Sequence, residues 1–357
     1  MTGLSGIPGL AEPTVGLRGD DLLDSRGEPY PVLELAARWP LGVWHEAVPL
    51  IGGKNEHVRL RTDDGMVFLR RSYRSKRRDE LREQLALMRR LRAGGLPVPA
   101  VVPTTDGEDH AEIQGRLYTV TREIAGEPYD DASDQHLHLF GETLAAYHRL
   151  VRPLPTGDGQ PGLIEELERH SELHGESEPH ADSELAEHAR QVARDLRRLL
   201  PQLPRLIVHG GARRGSLLFA GDAVVGVLDF DSAHPDVRVL DLAVAAHDVG
   251  KIYTQLGAPD HKVALDLGRV RGLLQAYADG GGTLTAAEAE ALPLLLEGKR
   301  LKRFLGRLHR RRRGEPLSSN DLMKIELERN RLRWLAAHRD QLVAACVTGS
   351  AGREATG

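Results

Sequence analysis

The alternation of apolar and polar positions predicts that the N-terminal part of the chain is rich in β-structure. Five segments have a strand pattern: residues 43–51, 57–62, 66–70, 111–113 and 117–124. Short turns that contain glycine join the first three strands, at residues 52–55 and 63–65. Such short connections favour an antiparallel meander.

The remaining apolar spacing is helical. In residues 77–92, Leu81, Leu85, Met88 and Leu91 recur every three or four positions and therefore share one face. Other segments with helical spacing are residues 31–39, 136–150, 185–200, 241–253, 262–278 and 319–345. Thr285 and Glu288 have the spacing of a capping box, which predicts that a further helix begins there.

The change from strand to helix patterns predicts two lobes with a hinge at residues 125–128. We expect an N-lobe over residues 29–126 and a helical C-lobe over residues 127–347. Residues 1–28 and 348–357 are rich in small and polar residues, so we expect both segments to be mobile tails.

Composition narrows the classes of function. The 357 residues are 40% hydrophobic and 28% charged, as expected for a folded protein of two lobes. A net charge of -4 and only 4% aromatic residues argue against a nucleic-acid partner. A membrane-spanning helix requires about 18 to 20 consecutive apolar residues, and no segment of the sequence approaches that length. The single cysteine, Cys346, is compatible with a reducing compartment, and we predict a cytoplasmic protein.

Two features of the N-terminal part have chemical potential. In the turn at residues 52–55 (GGKN), glycine backbone N–H groups can approach a phosphate closely, although a glycine hairpin turn needs no ligand. Arg70, at the end of the third strand, can reach back to phosphates if a carboxylate of the next helix orients it. Glu83 is the first candidate for that carboxylate and Glu80 the second; exposed charges are the alternative.

The C-terminal part contains an acidic motif at the end of an apolar run. Asp229-Phe230-Asp231 follows residues 223–228, and a carboxylate at the end of a buried strand favours a bound Mg²⁺. The alternative is an aspartate that caps the following turn. Upstream, His209-Gly210 ends another apolar run at residues 206–208.

This order of motifs resembles the aminoglycoside phosphotransferase and choline kinase family, relatives of the protein kinases. The most specific segments are VHGGARRGSLLF (208–219) and VVGVLDFDSAHPDVRVLDLA (224–243). The resemblance implies a bilobal protein-kinase-like α+β fold with a small antiparallel-sheet N-lobe and a larger helical C-lobe. It also implies ATP, or another nucleoside triphosphate, and Mg²⁺ as cofactors, with the nucleotide bound by the N-lobe at residues 29–126 and the catalytic-loop and metal motifs in the C-lobe at residues 127–347.

The resemblance assigns roles to individual residues. It places Gly52, Gly53 and Asn55 over the nucleotide phosphates. Arg70 takes the position of the family's phosphate-binding lysine, with Glu83 as its partner. Glu123 and Ala125 would lie near the adenine, and Asp229 would bind the metal. It implies that His209 is the structural histidine of the catalytic loop and that Asp241 braces that loop.

The chain departs from the family at two positions of the loop. The family has His-Gly-Asp, four residues and then Asn, where Asp is the base and Asn a metal ligand; here these positions are Gly211 and Ser216. Glycine cannot accept a proton, and a serine hydroxyl is a poorer ligand than an amide carbonyl.

Two hypotheses follow from these departures. The first is an ATP- and Mg²⁺-dependent phosphotransferase that acts on a hydroxyl of a small molecule or peptide, with Asp231 or a substrate group taking the proton. The second is a pseudokinase that acts through a partner protein.

Overall fold

The computed structural model describes residues 14–15, 22–23, 27–50, 55–156, 162–175, 181–253, 263–315 and 318–350. Gly52 and Gly53, most of the predicted N-terminal tail and residues 351–357 lie outside these ranges. The chain forms two compact units. Unit 1 comprises the residues up to Gly126 together with Val225–Leu228, and unit 2 comprises Glu127–Val224 and the residues from Asp229 onward.

Unit 1 is built on an antiparallel sheet. Its strands are β1 (Thr14–Val15), β2 (Trp44–Leu50), β3 (Glu56–Thr62), β4 (Gly65–Arg71), β5 (Val101–Val102), β6 (Ala111–Ile113) and β7 (Arg116–Arg122). The order is β1-β2-β3-β4-β7-β5, and β6 pairs with β7. The predicted meander of three strands is therefore confirmed as β2, β3 and β4.

The core of unit 1 follows from the alternation along these strands. Val58 and Leu60 of β3 and Leu69 of β4 are fully buried, together with Trp39, which follows helix α1 (Val32–Arg38). Helix α2 (Arg78–Ala93) buries the predicted face that contains Leu81 and its neighbours every three to four residues.

Unit 2 is mainly helical. Its helices are α3 (Asp134–Val151), α4 (Leu163–Gly175), α5 (Ala181–Leu199), α6 (Val239–Gly250), α7 (Leu267–Asp279), α8 (Ala286–Arg312), α9 (Ser319–Ala337) and α10 (Arg339–Ser350). Short strands join them: β8 (Glu127–Pro128), β9 (Arg205–Val208), β10 (Leu217–Ala220), β11 (Ala223–Val227, whose last three residues belong to unit 1), β12 (His234–Val237), β13 (Lys251–Tyr253) and β14 (Val263–Leu265). Every residue of α6 is buried, which identifies it as the central helix. None of the helices in the described ranges has the length and apolarity of a membrane span.

The predicted capping box is confirmed. The Thr285 hydroxyl accepts a hydrogen bond from Glu288 N at 3.2 Å, and the Glu288 carboxylate accepts one from Thr285 N at 2.9 Å. The same fully buried carboxylate binds the guanidinium of Arg238 at 2.6 and 2.9 Å. The capping residue therefore also ties α8 to the start of α6.

Three helix predictions need correction. The C-terminal end of the segment at residues 241–253 and the N-terminal end of the segment at residues 262–278 are not helical. They form an antiparallel pair, β13 with β14, in which Ile252 faces Ala264. Short apolar ends do not distinguish a strand from a helix, and here the backbone hydrogen bonds are satisfied by pairing. The segment at residues 319–345 is divided after Ala337, where the His338 ring donates from Nδ1 to Trp334 O at 2.8 Å.

Candidate active site

The loop that follows β9 is anchored by a buried carboxylate. β9 pairs antiparallel with β12, and Asp241 lies in the first turn of α6, which follows β12. Asp241 is completely buried and accepts hydrogen bonds from His209 N at 2.7 Å and Gly210 N at 2.8 Å. The structure thus has the bracing contact that was expected of Asp241.

The charge of Asp241 is stabilised from a second side. Burial opposes its ionisation, but the hydrogen bond and charge of His148, the charge of His209 and the His209 N–H together lower the pKa of Asp241 below its usual 3.8. His148 Nε2 lies 3.3 Å from the carboxylate, and the Tyr277 hydroxyl lies 2.9 Å from His148 Nδ1. Asp241 is therefore an ionised acceptor for the loop.

His209 lies in an aromatic environment. It is 3% exposed, and its ring packs against Tyr147 and Phe230 with centroid separations of 5.9 and 5.0 Å. A side chain held in this way suits the structural role that was predicted for His209.

The two glycines after His209 differ in their surroundings. Gly210 has φ 71°, and a Cβ there would lie 2.1 Å from the carbonyl oxygen of Ser232. A Cβ on Gly211 would meet its nearest neighbours at ordinary distances, 3.7 Å from His209 Nδ1 and 4.0 Å from Asp229 Oδ2. Packing therefore requires glycine at Gly210, whereas at Gly211 a Cβ beside Asp229 meets only ordinary van der Waals contacts.

The loop ends on a second buried carboxylate that the sequence reasoning missed. Asp248, two helical turns after Asp241, accepts from Arg214 N at 2.9 Å, from Arg214 Nε at 3.1 Å and from Lys251 Nζ at 2.6 Å. Burial disfavours its charge, but the bonds from Lys251 and Arg214 N and the charges of both cations lower the pKa of Asp248. The spacing of seven residues along one helix was the available signal.

Ser216 is held by the same loop. It is 5% exposed, and its hydroxyl donates to Gly211 O at 3.1 Å. This contact joins the side chain of Ser216 to the backbone of Gly211.

Asp229 has an unusual backbone conformation. Its φ and ψ are 64° and 60°, in the left-handed region, and it precedes a single 3₁₀ turn, Phe230–Ser232, that contains the half-exposed Asp231. Aspartate tolerates this region better than most residues, and such outliers concentrate at functional sites. The exposed Asp229 lines a pocket of about 470 Å³ together with Ser216, Arg213 and Lys251.

The side chains of this pocket would hold a metal ion only together with oxygen atoms of a bound substrate, such as phosphates. Within the described residues, no group of three or more His, Cys, Asp or Glu side chains is arranged to hold an ion. Mg²⁺ is commonly held by one or two carboxylates together with substrate phosphates, and the single exposed carboxylate of Asp229 suits that arrangement.

The predicted phosphate residues of unit 1 that the structure describes, Asn55 and Arg70, lie at the same end of the paired strands β3 and β4, where β3 begins and β4 ends. Asn55 is 5% exposed, and its side-chain oxygen accepts from Tyr73 N at 3.1 Å. Arg70, 9% exposed, lies in β4 between His57 of β3 and Thr119 of β7.

Glu83 is not brought to Arg70. Glu83 lies on the exposed face of α2, and in the part of the chain that the structure describes no ion pair joins these two side chains. The helical phase explains this, because the buried face of α2 passes through Gln84 and not through Glu83. Glu80, the second candidate, lies 3.8 Å from Lys76.

The segment predicted near the adenine joins the sheet at its start. Glu123 N donates to Met66 O at 3.1 Å, and the Glu123 carboxylate accepts from Arg59 at 2.8 and 3.1 Å. Ala125 is exposed. The Glu123 side chain is thus engaged within the sheet, and the backbone of this segment is what remains for a base to contact.

Comparison with known proteins extends these observations. A family model described as the phosphotransferase enzyme family matches residues 47–263, more than half of the chain. The chain is 30% identical to a homoserine kinase of Methylobacillus flagellatus over 263 residues, which cover 72% of this chain and 77% of that protein. It is also 30% identical to a homoserine kinase of Pseudomonas aeruginosa over 223 residues, 61% of this chain and 66% of that protein.

Solved structures share the fold at low sequence identity. An amicoumacin kinase in complex with AMP-PNP, Ca²⁺ and Ami has a TM-score of 0.64 at 15% identity, covering 87% of this chain and 92% of that one. A microcompartment-associated aminopropanol kinase has a TM-score of 0.65 at 16% identity, covering 87% and 98%. A choline/ethanolamine kinase family protein from Mesorhizobium loti has a TM-score of 0.59 at 17% identity, covering 88% and 95%.

These likenesses confirm the predicted fold, a protein-kinase-like α+β fold of the aminoglycoside phosphotransferase and choline kinase type. With the family match over residues 47–263, the chain belongs to the phosphotransferase enzyme family.

Proposed function

We propose that this protein transfers a phosphoryl group from ATP, with Mg²⁺, to a hydroxyl of a small molecule. The observation that carries the proposal is the loop frame of unit 2. Asp241 holds the backbone of His209 and Gly210, and Asp229 lies within 4.0 Å of the position that a Cβ of Gly211 would take. The homoserine kinase relatives support a small hydroxyl-bearing acceptor.

The roles of the residues follow from their chemistry. Asp229 would hold the metal, which neutralises charge on the phosphates when bound. Asn55 and Arg70 would contact the phosphates from unit 1, as would the glycine turn. Ser216 offers the metal a neutral hydroxyl, a weaker ligand than an amide oxygen.

The missing base affects the rate more than the possibility of transfer. A general base contributes about 10² to 10⁴ in rate, while most of the catalysis of phosphoryl transfer is positioning and charge neutralisation. Asp231, next to Phe230 in the turn after Asp229, is the candidate replacement. A group of the substrate is the alternative proton acceptor.

A second candidate function is a pseudokinase that binds nucleotide or a partner protein without turnover. The observation that favours it is Gly211, where no side chain is present to accept a proton although a Cβ at this position would make only ordinary contacts. Packing therefore does not explain why position 211 is glycine where the family has aspartate, and a protein that needs turnover would be expected to keep the aspartate.

The deciding experiment measures ADP formation by the full chain with ATP, Mg²⁺ and a panel of hydroxyl acceptors that includes L-homoserine. We expect slow turnover that is abolished in Asp229→Asn, because asparagine tolerates the left-handed backbone but removes the charge. Asp222→Asn, an exposed aspartate of the preceding turn, is the matched control. Nucleotide binding without turnover by any acceptor would select the pseudokinase.

Gly211→Asp provides an independent arm of this experiment. Since the Cβ fits without close contacts, the variant should fold and should raise turnover by about 10² to 10⁴. A rise from an undetectable rate would support the pseudokinase for the natural sequence. No rise in a protein that turns over would show that another group already serves as base.

A further inference from the structure

A group of basic side chains lies near one another where α8 contacts the loop. It consists of Arg213 in the loop, Lys299, Arg300 and Arg303 in α8, and Arg331 in α9, and we call it the basic cluster. Lys299 Nζ donates to Gly210 O at 3.1 Å, which fixes α8 against the loop. Lys299 and Arg303 are four residues apart and therefore lie on the same face of the helix.

The carboxylates that the described residues place next to the basic cluster are fewer than its cations. Arg300 lies 3.5 Å from Glu328, but the same carboxylate oxygen accepts from Arg331 at 2.9 Å. Asp241 favours the charge of Lys299, although it already accepts bonds from the loop. Among the residues that the structure describes, neither Arg213 nor Arg303 forms an ion pair with a carboxylate.

The shortage of negative charge has an electrostatic consequence. Burial, together with the charges of Arg303, Arg213 and Arg300, lowers the pKa of Lys299 to about 7 against the opposing effect of Asp241. Burial and neighbouring arginines likewise lower the pKa of Arg300 to about 10, although Glu328 opposes them. An anion within this cluster would relieve the repulsion among its cations.

The position of the cluster relates it to the candidate active site. Arg213 lines the same pocket as Asp229 and Ser216. We infer that the basic cluster binds an anionic group, a carboxylate or a phosphate ester, carried by the acceptor whose hydroxyl receives the phosphoryl group. This inference rests on the phosphotransfer proposed above for that pocket. It disfavours purely cationic acceptors, because the cluster would repel them.

The first test measures anion binding without nucleotide and so does not depend on turnover. The full chain is titrated with acetate, inorganic phosphate or neutral acetamide at constant ionic strength, and binding is followed by calorimetry and by the midpoint of thermal unfolding. We expect acetate or phosphate, but not acetamide, to bind. The stronger of the two anions distinguishes a carboxylate acceptor from a phosphate ester.

Variants locate the binding. Arg303→Gln and the exposed Arg213→Gln each remove one cation, and each should weaken anion binding about tenfold or more, as expected for a charge-assisted hydrogen bond. Arg311→Gln, an exposed arginine two turns further along α8, is the matched control and should bind as the natural sequence does. Equal anion binding by all three variants would overturn the inference.

Kinetics provide the second readout. With an active acceptor that carries an anion, Arg213→Gln should raise KM for the acceptor and leave KM for ATP unchanged. A larger effect on ATP than on the acceptor would assign the cluster to the nucleotide and overturn the inference. If no acceptor is phosphorylated but the anion still binds at the cluster, the proposed activity fails and the anion site remains.

Discussion

The two glycines after His209 provide a direct test of the loop geometry. Gly210→Ala places a methyl group 2.1 Å from Ser232 O in a residue with φ 71°, whereas Gly211→Ala meets nothing closer than 3.7 Å. The left-handed backbone costs an alanine about 1–2 kcal/mol, and overpacking adds about 1–3 kcal/mol. We therefore expect Gly210→Ala to lower the free energy of unfolding by about 2–5 kcal/mol.

Gly211→Ala is the internal control for this change. Its backbone lies outside the positive-φ region, so reduced freedom of the unfolded chain stabilises it by about 0.4–1 kcal/mol. Urea unfolding of both variants, followed by circular dichroism, measures the difference as a shift of the midpoint. Gly210→Ala within about 0.5 kcal/mol of Gly211→Ala, inside the usual range of neutral surface changes, would refute the loop geometry.

Three further predictions concern buried groups of unit 2. Asp241→Asn should lower the free energy of unfolding at pH 7, and the difference from the natural sequence should shrink as pH falls below 3.8. The reason is that a carboxylate with a lowered pKa stabilises the fold above its unfolded value and loses that contribution as the pH falls through the folded pKa; a difference independent of pH in acid titration would contradict this. Gly141→Ala should destabilise by about 1–3 kcal/mol in urea unfolding, because its Cβ would lie 2.5 Å from Ala276 Cβ in the contact between α3 and α7. Gly215→Ala, with nothing within 4 Å, should have little effect, and equal effects would contradict the close packing. Burial raises the pKa of Cys346 to about 12, so the reaction of its thiol with a disulfide reagent at pH 8 should proceed at the rate of unfolding, and rapid labelling of the folded protein would contradict its burial.

The parts of the fold that the sequence predicts well have strong local signals. The meander and the buried face of α2 follow from periodicity, and the start of α8 follows from the Thr285–Glu288 pair. Less of the candidate site is predictable. The prediction chose Glu83 as a carboxylate of the helix that follows Arg70, whereas the structure buries Gln84, one residue further along, and a helix rotates by about 100° for each residue.

Charged residues were the hardest to interpret from the sequence. The basic run at residues 70–78 is typical of a solvated helix end, yet Arg71 is 2% exposed, pairs with Glu56 and lies over the Tyr30 ring at 4.2 Å. Its partner is 15 positions earlier in the chain, and local patterns cannot reveal such a contact. Lys299 likewise stands among other basic residues, a pattern common on exposed helix faces. Its contact with the loop appears only in the folded chain.

The side chains that hold the loop backbone in place are different from those proposed to contact the substrate or the metal. Asp241, His148 and Tyr277 form a buried hydrogen-bonded chain that ends on the backbone of His209 and Gly210, and none of these side chains needs to react with a substrate. The residue at position 211 is a glycine and contributes no side chain to that chain. The shape of the loop therefore does not depend on a side chain at position 211, and for the same reason Gly211→Asp is expected to add a carboxylate to a loop that is already held in place.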